Sequence, residues 1–129
     1  MRKFIVPLAL AAITTIMTPN VAFAHAKLLS STPAANATVS KDKAKSITLV
    51  FNEKLMASTV KAELVMTAMP GMKDHPPMKV AFSSMMGKDG KSAMLMLKRP
   101  LAAGTYKVKW AAAGADTHRM EGEFAFTVK

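Results

Sequence analysis

The chain has no cysteine among its 129 residues. Disulfides and thiolate metal sites are therefore unavailable, and packing of apolar side chains must hold the fold together. Acidic residues are also few, 8 against 18 basic ones, which gives a formal net charge of +10. With only one Trp and one Tyr, the chain has few platforms on which bases could stack, so we expect no nucleic-acid partner. The charge instead predicts a solvated surface rich in lysine.

The motifs of several enzyme classes are missing as well. The sequence contains no Gly-x-Ser-x-Gly segment, no glycine-rich phosphate loop and no His-Glu-x-x-His segment. It therefore offers no machinery for hydrolase or nucleotide chemistry, and we expect a protein that is not an enzyme.

One long apolar run is present, at the amino terminus. Met1-Arg2-Lys3 is a positive start, Phe4 to Met17 is almost unbroken apolar sequence, and Ala22-x-Ala24 is a small-x-small cleavage site. This pattern predicts a secretory signal peptide over residues 1–24. The exported chain, residues 25–129, is then a single soluble domain with one modest core.

Alternation of apolar and polar residues predicts about seven short β-strands and no amphipathic helix of useful length. The clearest strand runs from Thr105 to Ala111, where Tyr106, Val108 and Trp110 face one way. The other predicted strands are near Lys27 to Ser30 and at Ser46 to Phe51, Lys61 to Met66, Met78 to Ser83, Ala93 to Lys98 and Glu123 to Val128. Short turns such as Gly87-Lys88-Asp89-Gly90 join them. The pattern predicts an all-β fold, a small Greek-key β-sandwich or barrel of the immunoglobulin-like or cupredoxin-like kind.

Residues 66–78 are unusually rich in methionine. Prolines and a glycine interrupt any helix or strand here, so the methionines cannot form a periodic core stripe. Thioether sulfur is a soft ligand that favours Cu(I), and imidazole binds copper in either oxidation state. The segment therefore predicts a Cu(I) loop, although flexible methionine side chains could instead fill gaps beneath a loop. The candidate ligands are Met66, Met69, Met72, His75 and Met78.

A second candidate site combines nitrogen and oxygen ligands. Cleavage after Ala24 would make His25 the first residue, and its amine and imidazole together suit tetragonal Cu(II). Asp116 and His118 lie two residues apart between the last two predicted strands and would share a face in extended backbone. Alone, an Asp-x-His segment is more often a surface loop. Because the loops of a sandwich meet at its ends, we predict a Cu(II) site from His25, Asp116 and His118, with Glu53 as a further ligand or a hydrogen-bond partner of one.

Several segments across the exported chain resemble the CopC family of periplasmic copper-binding proteins. They are His25-Ala26-Lys27-Leu28, Ser31-Thr32-Pro33-Ala34, Phe51-Asn52-Glu53, Leu64 to Met72, Ala103 to Val108 and Asp116-Thr117-His118. The resemblance implies a small periplasmic β-sandwich that carries copper in copper resistance or homeostasis. It also implies a Cu(I) site in the methionine segment at one end and a Cu(II) site around His25 and His118 at the other. The partner it implies is a CopD-type membrane permease or a periplasmic multicopper oxidase, and we expect the protein itself to be a monomer.

Two other functions are consistent with parts of this pattern. An amino-terminal histidine with a second histidine also resembles the histidine brace of copper-dependent oxidative enzymes. Such enzymes present a broad aromatic substrate surface, whereas the few aromatic residues here occupy positions patterned for the core. A basic β-sandwich that binds no metal is the third hypothesis, and a copper-binding measurement tests it.

Overall fold

Nine β-strands and two short 3-10 turns account for the regular structure of residues 25–72 and 76–129, the part of the chain that a computed structural model describes. The strands are β1 (Leu28–Thr32), β2 (Thr38–Val39), β3 (Ser46–Phe51), β4 (Lys61–Ala68), β5 (Met78–Lys79), β6 (Phe82–Met86), β7 (Ser92–Leu97), β8 (Gly104–Ala113) and β9 (Arg119–Val128). The 3-10 turns are Lys41–Lys43 and Ala57–Thr59. A helix of the length and apolarity needed to cross a membrane does not occur in these two ranges.

The strands form two sheets that pack face to face. The four-stranded sheet has the order β1-β3-β7-β6, and the five-stranded sheet has the order β2-β9-β8-β4-β5. The short strand β2 runs parallel to β9, and the other strand pairs are antiparallel. The predicted all-β sandwich is therefore confirmed.

The core lies between the sheets because strands such as β3 and β7 alternate buried and less buried residues and turn the buried side chains inward. In β3, Ile47, Leu49 and Phe51 point inward and are fully buried. Tyr106 of β8 faces them from the other sheet, stacks on Phe126 and donates a hydrogen bond from its hydroxyl to the carbonyl of Ala102 at 2.6 Å. Burial raises the pKa of this phenol, although the backbone contact partly opposes the effect.

Most predicted strands lie where the alternation placed them, with two differences. The segment Met78 to Ser83 is not one strand: β5 ends at Lys79 in the five-stranded sheet, and β6 begins at Phe82 in the four-stranded sheet. The prediction was wrong there because alternation of side chains continues through the point where the chain crosses between sheets. Strand β2 was not predicted, since two residues are too few to show a period.

Strand β8 separates the two candidate sites. Its first residues pair with the end of β4, where Thr105 lies opposite Ala68, just before the methionine segment. Its last residue, Ala113, leads into the loop to β9 that contains the Asp-x-His segment. Ten residues of extended chain span about 30 Å. The two candidate sites therefore lie at opposite ends of the sandwich.

Candidate metal centres

The loop between β8 and β9, residues 114–118, is shaped by a tight turn and a left-handed residue. The backbone N–H of Thr117 donates to the carbonyl of Gly114 at 3.0 Å, which closes the turn. The φ angle of Thr117 is 63°, and the N–H of His118 then donates to Oδ1 of Asp116 at 3.2 Å. The expectation that the backbone is extended between Asp116 and His118 is therefore wrong. Both side chains still reach one site, but through a change of chain direction.

His25 is fastened next to this loop by Asn52, the residue after β3. The amide nitrogen of Asn52 donates to the carbonyl of His25 at 3.2 Å, and its amide oxygen accepts from the N–H of Lys27 at 2.8 Å. Ala26 between them is buried. Asn52 was not predicted to have a role, because nothing in a single Phe-Asn-Glu segment shows that the amide bridges to the amino-terminal segment.

His25, Asp116 and His118 form one cluster. Nδ1 of His25 donates to Oδ2 of Asp116 at 2.8 Å, and Nδ1 of His118 lies 3.5 Å from the same oxygen. The two rings meet edge to face with centroids 5.0 Å apart. Each residue offers a ligand atom, and these atoms lie within 4.8 Å of one another. Since metal–nitrogen and metal–oxygen bonds are about 2 Å long, small rotations of the two rings would let all three donors contact one ion.

The anionic centre of the cluster is Asp116. Only 7% of its side chain is exposed, whereas both histidine rings reach solvent. Desolvation raises the pKa of this carboxyl, but the hydrogen bonds from the His25 ring and the His118 backbone N–H outweigh it and lower the pKa below the ordinary value. Asp116 therefore carries its charge at neutral pH and attracts a cation to a site with accessible ligands.

Glu53 lies next to the loop but outside this cluster. Its Oε1 is buried and has no hydrogen-bond partner among the described residues. The same oxygen packs against Gly114, where a Cβ would collide with it. A side chain at position 114 would therefore force the Glu53 carboxylate to move away from the loop. An unpaired buried oxygen of this kind is costly unless a group from outside the chain satisfies it.

The methionine segment begins with a two-hydrogen-bond turn. The N–H of Met72 donates to the carbonyl of Met69 at 3.0 Å, and the N–H of Met69 donates back at 3.3 Å. Pro70 and Gly71 occupy the corner, and the φ of Gly71 is +79°, which glycine adopts without strain. Residues bridged in this way have neighbouring Cβ atoms, so the two methionine side chains start from adjacent positions.

The predicted sulfur ligands differ in burial. Met66 is 6% exposed and belongs to the hydrophobic core, whereas Met72 and Met78 are exposed and Met69 is half-buried. Met78 of β5 lies directly opposite Met66 of β4, which places it at the same end of the sandwich as the turn. His75 lies outside the described residues.

Comparison with known proteins gives consistent results. A family model described as the CopC domain matches residues 28–129, a range that begins just after His25. The chain is 48% identical over 108 residues to Copper resistance protein C of Xanthomonas campestris pv. juglandis, covering 84% of this chain and 83% of that protein. It is 44% identical over 108 residues to Copper resistance protein C of Escherichia coli, with 84% of each covered. The crystal structure of PcoC, a methionine-rich copper resistance protein from Escherichia coli, superposes with a TM-score of 0.74 at 42% identity and covers 82% of this chain and 100% of PcoC.

Proposed function

Because the chain belongs to the CopC family, we propose that it is a copper-binding protein of copper resistance or homeostasis. In this proposal the protein is a periplasmic carrier that binds Cu(II) and Cu(I) at separate sites and transfers copper to a partner. Copper is its cargo, and the protein performs no catalysis. Relatives named for copper resistance support the general role, and the two sites rest on the residues of this chain.

The observation that carries the proposal is the cluster of His25, Asp116 and His118. Two imidazoles and a carboxylate within bonding reach of one point are the ligands that Cu(II) prefers. The amine that cleavage after Ala24 would free adds a fourth donor on His25 itself. On binding, copper replaces the hydrogen bond between the His25 ring and Asp116. The buried oxygen of Glu53 lies next to the loop without a hydrogen-bond partner. In this proposal it accepts a hydrogen bond from a water or from a ligand of the ion.

The proposed Cu(I) site consists of the thioethers of Met69, Met72 and Met78 with His75. The turn places the side chains of Met69 and Met72 on directly opposed residues, and soft donors favour Cu(I) over harder ions. Met66 would join the site only by leaving the core, so it is the member of the predicted set with the weakest support.

Accessible ligands are what a carrier needs, because a partner must reach the ion to remove it. Both histidines of one site and two methionines of the other are exposed. We propose a CopD-type membrane permease or a periplasmic multicopper oxidase as the partner, and a monomer as the working form. Neither assignment changes the ligand sets.

A histidine-brace enzyme is less well supported than a carrier. The large exposed apolar residues in the described ranges are Leu29 and five methionines, and none is aromatic. Trp110 instead packs edge to face on Phe51 at 5.1 Å. A flat aromatic surface for a polysaccharide therefore has no residues among those described. Reductant-dependent peroxide production by the copper-loaded protein would favour the enzyme over the carrier.

Two variants of the exported protein test the ligand sets, and each is the control for the other. We expect His118→Ala to weaken Cu(II) binding, measured by electron paramagnetic resonance, and to leave Cu(I) affinity unchanged in an anaerobic chelator competition. Met69→Leu, Met72→Leu and Met78→Leu together should have the opposite effect. If neither variant alters binding of its own ion, the proposal is wrong.

Intact-mass analysis of the exported protein tests the amine ligand separately. The expected first residue is His25. A variant form in which the amine of His25 is acetylated should bind Cu(II) more weakly, because the acetylated nitrogen can no longer donate to the ion. An unchanged Cu(II) spectrum in that variant would remove the amine from the site.

A further inference from the structure

Three methionines outside both proposed sites lie together on the outer face of the four-stranded sheet. Met85 of β6 is directly opposite Met94 of β7, and Met96 lies two residues farther along β7. Directly opposed residues have Cβ atoms about 5 Å apart, and diagonal neighbours about 7–8 Å. Methionine has three rotatable bonds, so three sulfurs in this arrangement can converge on one ion. We propose that Met85, Met94 and Met96 form a second Cu(I) site whose ligands are thioethers alone.

These side chains do not serve the core. The residues that alternate with them in β7, Ala93 and Leu95, are buried, whereas Met85 is 56% exposed, Met96 is 42% exposed and Met94 is half-buried outside the core cluster. Filling of gaps in the interior therefore cannot explain them. An exposed apolar edge is also a hazard, since β6 ends its sheet and such strands usually carry lysine to prevent aggregation. Thioethers at these positions need a reason outside folding.

The surroundings of the three sulfurs suit a soft monovalent cation. Met94 has Thr48 opposite it on β3, and Met96 has Ser83 opposite it on β6, so the neighbouring outward positions are uncharged. The outer face of the five-stranded sheet differs, because it carries ion pairs such as Lys107 with Glu123 at 3.2 Å. The positions directly opposite the sulfurs therefore bring neither a positive charge that repels a cation nor a carboxylate that binds a harder ion, and the nearest lysine along the chain is Lys98, two residues beyond Met96.

The site is independent of the methionine segment in sequence and in position. Residues 66–72 and Met78 lie where β4 ends and β5 begins, in the five-stranded sheet, whereas Met85, Met94 and Met96 lie within β6 and β7 of the other sheet. The protein would then bind Cu(I) at two places. This inference goes beyond the proposed function and does not require the loop site to exist.

Ag(I), a soft ion that does not change oxidation state here, is the probe for the test. The exported protein carries 13C-labelled methionine methyl groups, assigned through single Met→Leu variants. We expect Ag(I) to shift the methyl signals of Met85, Met94 and Met96. The triple variant Met85→Leu, Met94→Leu, Met96→Leu should bind one equivalent of Ag(I) fewer than the unaltered protein. Leucine has a similar volume, and thermal unfolding verifies that the variant folds.

Met56→Leu is the matched control, because Met56 is 41% exposed, close to the 42% of Met96, but lies before the Ala57–Thr59 turn and in neither of the described sheets. The Met56→Leu variant should bind as many equivalents of Ag(I) as the unaltered protein. In a background without the loop thioethers (Met69→Leu, Met72→Leu, Met78→Leu), one equivalent should still bind and should vanish when the three sheet methionines are also replaced. Unmoved methyl signals, or a triple variant with full stoichiometry, would overturn the sheet site and leave the loop site standing. Full stoichiometry in the loop variant alone would overturn the loop and not the sheet site.

Discussion

Thr117 holds the loop between β8 and β9 in a conformation that residues with a branched Cβ rarely adopt. Its φ of 63° lies in the left-handed region, where the side chain crowds the following carbonyl. The sequence alone gave no sign of this, since Asp-Thr-His is also compatible with extended chain. The left-handed residue lets Asp116 accept the N–H of His118 while its other oxygen accepts from His25. The geometry of the His25, Asp116 and His118 cluster therefore depends on a strained residue that is not one of its proposed ligands.

We predict that Thr117→Asn stabilises the protein by about 1 kcal/mol, because asparagine tolerates the left-handed region better than threonine. Asn36 gives a matched reverse case, since it adopts the same φ of 63° in another turn. Asn36→Thr should destabilise the protein by a similar amount. Thermal and urea unfolding of both variants measure the two changes. A loss of stability in Thr117→Asn would show that the threonine makes a contact that outweighs the strain.

The charge of Asp116 makes stability depend on pH in a stated direction. Its pKa in the folded protein is lowered, because hydrogen bonds from His25 and the His118 backbone outweigh desolvation. A lowered pKa means that the stabilisation is complete above the ordinary aspartate pKa. It is lost as the pH falls through the lower folded value.

We therefore expect the unfolding temperature of the metal-free protein to fall with pH below about pH 4. The fall should be steeper than in the Asp116→Asn variant, because asparagine does not titrate. Thermal unfolding across pH 2 to 7 measures the difference between the two proteins. Glu121→Gln, at an exposed position of β9 outside the ligand cluster, should keep the steep acid response. Parallel curves for Asp116→Asn and the unaltered protein would contradict the assignment.

At the scale of elements, the strands that the sequence predicted well are those with a buried face. Strand β3 alternates Ile47, Leu49 and Phe51 with polar residues, and its bounds are as predicted. Strand β2 could not be predicted because Thr38 and Val39 pair in parallel with residues at the far end of the chain. Pairing of that kind depends on the finished fold and leaves no local pattern. The position of His25 beside the β8–β9 loop was predictable only as a general property of sandwich ends.

Burial also divides the methionines of residues 66–78 into two groups. Met66 lies in β4 on the inward face, so its methyl group packs against Gly104 in the core. Met72 closes a turn and points to solvent. Both were predicted as ligands from the local enrichment in methionine. Only the strand register shows which methionine faces the core and which faces solvent.

We predict that Met66→Ala destabilises the protein by about 2–5 kcal/mol, because it leaves a cavity in the core. Met72→Ala should change stability by no more than about 0.5 kcal/mol, since its side chain is exposed. Its Cu(I) affinity should fall instead. Denaturant unfolding measures the first effect, and anaerobic chelator competition measures the second. If Met66→Leu, which preserves core volume, weakened Cu(I) binding as much as Met72→Leu, Met66 would be a ligand and the division by burial would be wrong.

At the scale of the whole molecule, strand β8 sets the distance between the proposed copper sites. About 30 Å of extended chain separates the methionine turn from the His25 cluster, and neither site shares a residue with the other. Ligand preference reverses with oxidation state, so copper that is oxidised at the thioethers should move to the nitrogen and oxygen ligands. An ion held at one site is therefore too far from the other site to contact ligands of both. In the proposed carrier, the sandwich would therefore keep oxidation at one end apart from capture at the other.

We predict that this transfer occurs as readily between molecules as within one. His118→Ala loaded with Cu(I) is mixed with Met69→Leu, Met72→Leu, Met78→Leu free of copper, and oxygen is admitted. The Cu(II) signal of the histidine site should develop in the mixture as fast as in the unaltered protein at equal site concentrations, because in both cases the ion must leave the protein first. Freeze-quenched electron paramagnetic resonance follows the signal. Much faster transfer in the unaltered protein would reveal a path along the molecule, and repeating the experiment with Met85→Leu, Met94→Leu and Met96→Leu would show whether the sheet methionines provide it.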